Sequence, residues 1–220
     1  MENNKKKGLI ALGLALTMGI GGASLYFTDS ESVTNKFKTG KVDITLTEPN
    51  WKQDENKEIT PNKEIKKDPT ITNTGVNDAF IFAEVTVPYA SVITADVTTG
   101  QAEAQATEHE LFTYTVNEGW TEITSAKTKD TENSTYTHVY AYTGTDTTTL
   151  EAIAKNSSKT LFNTVTFINV VEGQGLEEKN LDVKVEAKAI QTSDITDADI
   201  TSPEGVLNVL NTQGAGAHKK

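Results

Sequence analysis

Apolar residues recur along most of this chain with a period of two, the spacing that puts alternate side chains on one face of a strand. Val42, Ile44 and Leu46 alternate with Lys41, Asp43, Thr45 and Thr47. The clearest case is 181–190: Leu181, Val183, Val185, Ala187 and Ala189 face one way, Asp182, Lys184, Glu186 and Lys188 the other. In 135–143 the pattern places Tyr136, His138, Tyr140 and Tyr142 on one side. Residues 79–87 (AFIFAEVTV) are apolar on both faces before they alternate, which predicts a central strand ending at Pro88.

Further strands are expected at 69–75, at 92–97 and at 161–171. Asn117-Glu118-Gly119 between 111–116 and 120–125 predicts a hairpin. The Pro-, Asn-, Lys- and Glu-rich stretch 48–67 reads as a long exposed connection, with Trp51 docked on the domain. Residues 100–110 fit a loop or a short helix, and 145–158 fit a helical turn or a loop with a short strand. Ser202-Pro203-Glu204 carries helix start signals, a Ser cap, Pro at the first position and an acid in the first turn, with Val206, Leu207 and Leu210 as the apolar face. Many short strands, abundant threonine and regular turn signals predict an all-β fold, a jelly-roll-like β-sandwich with short peripheral helices.

The first residues break this pattern. Lys5, Lys6 and Lys7 precede an uncharged run over 8–24 that is interrupted by four glycines and ends in small residues. A basic patch, a short apolar run and a small-residue end describe a secretory signal, here a helical one. The expected divisions are a signal peptide at 1–23, an N-terminal segment at 24–38, a sandwich domain at 39–212 and a tail at 213–220. Cleavage is expected after Ala23 or Ser24, with Ala23 favoured because Gly21 stands at the third place back. The membrane is then a partner only through the uncleaved signal.

Composition narrows the function. The 220 residues contain no cysteine, so an exported form draws its stability from packing and strand pairing. The net charge is −11; loss of residues 1–23 removes three Lys and one Glu and leaves −13. No arginine is present, which argues against nucleic acid as a partner.

Catalytic chemistry is thinly supplied. The imidazoles are His109, His138 and His218, and His138 reads as a structural histidine among tyrosines. His109-Glu110 resembles the start of a zinc-protease helix, but the position four residues after His109 is Thr113. Asp194, Asp197 and Asp199 lack the glycine turn and distal Glu of a calcium loop. No catalytic residue, metal ligand or cofactor is expected.

Several stretches together resemble the TasA/camelysin family of Gram-positive bacteria. They are the Lys run and apolar stretch, Tyr26-Phe27-Thr28-Asp29, 35–44 (NKFKTGKVDI), 46–51 (LTEPNW), 69–75 (PTITNTG), 79–85 (AFIFAEV), 161–165 (LFNTV) and 185–192 (VEAKAIQT). One departure is Leu25, where the family commonly has a small residue before the aromatic pair. The resemblance implies a signal processed by a SipW-type peptidase and a secreted subunit of a biofilm-matrix fibre, located in the extracellular matrix or at the cell surface. It further implies that the segment freed by cleavage becomes a strand donated to the next copy, making the chain its own head-to-tail partner.

The residues suit that role. Tyr26, Phe27, Val33 and Phe37 form an apolar set in a polar, extended segment with no evident local partner. The competing arrangement is a first strand folded back on its own sheet. Two other functions stay open: a camelysin-type secreted metalloprotease, and a monomeric surface or glycan-binding module that uses Trp51 or Trp120 as a platform.

Overall fold

The computed structural model describes residues 42–52, 59–176, 179–193, 195 and 202–217, with only the backbone given for 213–217. The expected signal, the cleavage residues Ala23 and Ser24, and Tyr26, Phe27, Val33 and Phe37 lie outside the described residues. So do His218, Asp194, Asp197 and Asp199.

The fold is an all-β sandwich. Among the described residues there are twelve strands, in chain order β1 Ile44–Thr47, β2 Glu64–Lys66, β3 Thr70–Asn73, β4 Ala79–Val92, β5 Thr107–Glu110 and β6 Phe112–Thr113. They continue with β7 Trp120–Glu122, β8 Thr128–Asp130, β9 Thr135–Tyr142, β10 Ser158–Thr160, β11 Thr164–Phe167 and β12 Lys184–Gln191, and a helix, α1 Pro203–Ala217, follows. One layer has the order β12-β4-β9-β7, with β5 joined to the far end of β4 and β8 to β9. The other layer consists of two three-stranded sheets, β1-β3-β10 and β2-β11-β6. Lys67 N–H donates to Asn163 O (3.1 Å) and Leu161 N–H to Pro69 O (2.9 Å), so β2 and β3 run beside β11 and β10 across a shared break. Pro69, which has no N–H, sits at that break.

Ile65, Ile71, Ile81, Val85, Phe162 and Val165, drawn from both layers, meet in the main core. A second, smaller core lies on the outer face of the larger layer, where Val206 and Leu207 of α1 cover Phe82, Val139, Ala141 and Ile190. This explains why β4 is apolar on both faces: its odd residues serve the sandwich and Phe82 serves the helix. Ser202 caps α1 by accepting the Gly205 N–H through Oγ at 3.1 Å. The helix continues to Ala217, over residues assigned from sequence to a tail. Once nucleated, a helix adds one backbone bond per residue, which carries it over Gly214 and Gly216 although glycine is a poor helix former.

Several local expectations are corrected. β4 does not stop at Pro88 but continues to Val92. β12 pairs β4 only up to Thr86, and β5 takes over from Tyr89. The missing donor of Pro88 therefore falls where one neighbour has left and the next begins, and no ladder bond is lost. The 100–110 region contributes a strand, β5, rather than a helix. The connection 48–67 includes β2, which buries Ile65. The expected strand 161–171 is regular only at Thr164–Phe167, because Leu161 and Phe162 are both buried and cannot belong to one alternating face.

The expected hairpin around Gly119 does not form. β6 pairs β11 and β7 pairs β9, so the turn carries the chain from one layer to the other. Gly119 has φ +90°, and a Cβ there would lie 2.7 Å from Cε2 of Tyr142. Gly119→Ala is expected to destabilise the protein by about 2 kcal/mol through backbone strain and this clash, read as a lower urea midpoint with an unchanged slope.

The end of β1 is clamped. Lys67 Nζ meets Glu48 Oε1 at 2.6 Å. Asn50 donates its backbone N–H (2.9 Å) and its side-chain amide (2.7 Å) to the buried carboxylate of Asp68. Trp51, 37% exposed, lies with its ring centroid 5.2 Å from the Lys67 ammonium, a partial version of the expected docking.

Candidate functional site

Two places combine chemistry with access. The first is the flank where β1, the edge of one layer, comes within 8 Å (Cα to Cα) of β12, the edge of the other. No hydrogen-bonded ladder joins the two strands. Each arrives by its own pairing, β1 on β3 and β12 on β4. Ile44 and Leu46 of β1, with Leu181 and Val183 just before β12 and Val185, Ala187 and Ala189 on it, pack on the main core but stay only half-buried. Central positions on the neighbouring β4, such as Ile81, Ala83 and Val85, are fully buried. The sandwich is therefore less well covered along this flank than at its centre. Among the described residues, the backbone groups on the outer edge of β12 have no hydrogen-bond partner. The alternation that defines β12 was legible in the sequence; its place at an edge, opposite β1, was not.

The second place is the inner face of β9. His138 donates from Nδ1 to Glu122 Oε1 and from Nε2 to Glu110 Oε2, both at 2.7 Å. Lys127 Nζ reaches the other oxygen of Glu110 at 2.7 Å. Next to this group Tyr114 and Tyr140 share a hydroxyl–hydroxyl bond of 2.9 Å. Burial pushes the Tyr140 hydroxyl up to about 12, and raises Tyr114 further.

Two carboxylates on the two ring nitrogens require both nitrogens to carry protons, so His138 is held as an imidazolium. The bond to Glu110 raises its pKa most, burial opposes this, and Glu122 adds to the rise. For Glu110, burial pushes the carboxyl up, but the bonds from His138 and Lys127 outweigh it and the net shift is down.

The signs set a pH window. A raised His138 pKa contributes stability that is complete below 6.5, the unshifted value, and is lost as pH rises through the folded value. A lowered Glu110 pKa contributes stability present above 4.5 and lost as pH falls through its folded value. The charged and titratable groups facing His138 are Glu110, Glu122, Lys127, Tyr114 and Tyr140. Urea midpoints measured across pH are expected to peak between 4.5 and 6.5. His138→Gln is expected to remove most of the decline from pH 6 to pH 9; an unchanged decline would place its source elsewhere.

The same geometry bears on metal binding. A zinc ligand must offer a nitrogen lone pair, and both nitrogens of His138 are engaged as donors. Glu110 and Glu122 sit at opposite ends of the ring and do not converge on one point. His109 and Glu110 are successive residues of β5 and take opposite faces: His109 Nε2 bonds Thr107 Oγ1 (2.7 Å) and Glu103 Oε2 (3.0 Å), away from His138. Among the described residues no three His, Cys, Asp or Glu side chains form a metal-holding group. This donor set does not fit a catalytic zinc.

Trp120 is not a platform. It is 6% exposed, its Nε1–H bonds Thr160 O at 3.1 Å, and its ring stands edge-on to Tyr142 at 5.5 Å. No helix among the described residues is long and apolar enough to cross a membrane.

Compared with known proteins, residues 3–195 match the family model described as Camelysin metallo-endopeptidase. No curated protein and no solved structure matches the chain.

Proposed function

We propose that this chain, which belongs to the TasA/camelysin family, is a secreted structural subunit of an extracellular fibre. A SipW-type peptidase removes residues 1–23, and segment 24–38 is then donated to the next copy. The observation that carries the reading is the flank between β1 and β12, where half-buried apolar side chains line a strand edge that has no partner among the described residues. A strand laid there gains a ladder of main-chain bonds and buries alternate side chains. Tyr26, Phe27, Val33 and Phe37 supply such side chains.

Donation to another copy lets the segment run on without a turn. Segment 24–38 leads almost directly into Val42, just before β1. Lying in its own flank would require reversing within residues 39–41. A neighbour's flank imposes no such turn, and a head-to-tail contact of this kind propagates without closing. Before cleavage the tether to the membrane keeps the segment from a neighbour, so processing acts as the assembly switch.

The role needs no catalysis. The family's name is that of a protease, and the imidazolium state of His138 favours the structural role for this member. Electron microscopy of the processed chain, with and without residues 24–38, tests the proposal. Filaments are expected only when the segment is present, and monomers in both samples would refute it. Metal-dependent casein cleavage that is lost with Glu110→Gln would favour the protease.

A further inference from the structure

We infer that the outer face of the β2-β11-β6 sheet is a binding groove for an uncharged polysaccharide chain. Thr166 of β11 and Thr113 of β6 are register partners. Both line two adjoining hollows of about 340 and 360 Å³, so the hollows form one trough across the sheet.

Each end of the trough carries a pair of asparagines. At one end Asn169 donates its amide to Ala95 O (2.8 Å), and its own Oδ1 accepts from Asn62 Nδ2 (2.8 Å). At the other, Asn117 donates to Thr160 O (3.0 Å), and its Oδ1 accepts from Asn163 Nδ2 (2.8 Å). Backbone carbonyls only accept, so the direction of each relay is fixed. The exposed ends, Asn62 and Asn163, are therefore oriented by their neighbours, and each presents an Oδ1 that has no protein donor among the described residues. Asn163 precedes β11 and Asn169 follows it, a separation of roughly 20 Å for six extended residues. That span suits several linked sugar rings.

The ligand class follows from the lining. Thr113, Thr166 and Thr164 offer hydroxyls and methyls, and the asparagines offer paired donors and acceptors. This combination matches sugar hydroxyls, which both give and accept bonds. Glu64 and Lys66 stand on the same face as partners of Thr166 and Thr164, one charge of each sign. His109 is already held by Thr107 and Glu103. An anionic polymer would find no net countercharge here and would be repelled by the chain's −11. The inference does not depend on fibre formation, and it places sugar recognition away from both tryptophans.

The test is native electrophoresis of the full chain in gels containing laminarin or dextran as neutral polymers, or alginate as an anionic one. Retardation by at least one neutral polymer is expected, with none by alginate. Asn62→Gly combined with Asn163→Ala should weaken binding about tenfold or more, since a held hydrogen bond is lost at each end. Glycine is chosen because Asn62 has φ +62°. Thr166→Val, which keeps the shape and removes one hydroxyl, serves if the double variant unfolds, and it too should weaken retardation. Thr128→Ala, on β8 of the opposite layer, should not. No retardation by either neutral polymer, equal retardation of the trough variants and Thr128→Ala, or retardation by alginate alone would overturn the inference.

Discussion

A chain lacking residues 24–38, mixed one-to-one with a processed chain carrying Val185→Lys and Ala187→Lys, is expected to give dimers and no filaments. The first keeps its receiving flank and has nothing to donate. The second can donate, but two ammonium groups now stand where the incoming strand must lie. Val185 and Ala187 are half-buried, so long lysine stems can reach water in the monomer without emptying the core. An inserted strand would close that route and leave the charges without water, at a cost of several kcal/mol. Each chain alone should stay monomeric by sedimentation. Because a head-to-tail contact has two different halves, only the mixture restores one productive pairing, and that pairing cannot extend. Filaments from the lysine variant alone would show that another surface receives the segment. Matching urea midpoints for variant and parent monomers would exclude misfolding as the cause.

The largest loss of stability from a single polar side chain is expected at Asn73. It is fully buried at the end of β3. Its amide donates to Asn77 O (2.9 Å) and Ile153 O (2.8 Å), and its Oδ1 accepts from Gly75 N–H (3.0 Å). One side chain thus ties the turn between β3 and β4 to Ile153: Gly75 N–H also reaches Asp43 O (3.0 Å) and Ile153 O also accepts from Ala79 N–H (3.1 Å), while Asn77 O depends on the Asn73 amide. Asn73→Ala removes that tie and opens a cavity, for a cost of about 3 kcal/mol. In a domain of this size that lowers the melting temperature by roughly 6–12 °C. Asn73→Asp should be no milder, because it turns a carboxylate toward two carbonyls. A shift of under about 2 °C for both variants would mean that water replaces the side chain.

How much of this was readable beforehand depends on where each element's cause lies. β9 and β12 declare themselves because one face meets the core and the other does not, and alternation is a local record of that. The start of α1 was legible because a cap is chemistry within four residues. β5 (Thr-Glu-His-Glu) left no such record: it is a strand because β4 runs past Pro88 and offers it an edge. The turn at Gly119 misled because the same residues serve whether the flanking strands pair or part. The pairing of His138 with Glu110 and Glu122, 28 and 16 residues away, is likewise set by the sheet. That the ring would find partners was legible from its place among the tyrosines of β9; which carboxylates supply them was not. The flank between β1 and β12 joins segments at opposite ends of the domain, so no window of sequence displays it.

In filaments of the kind proposed, the clamp at the end of β1 would have a mechanical consequence. Tension passed from one subunit to the next would enter at Val42 and run along β1, whose four residues pair antiparallel with β3. A lengthwise pull loads those rungs together in shear instead of peeling them one by one. At the trailing end, Glu48–Lys67 and Asn50–Asp68 tie the strand to the stretch between β2 and β3, so the strain spreads into a second sheet before any rung gives way.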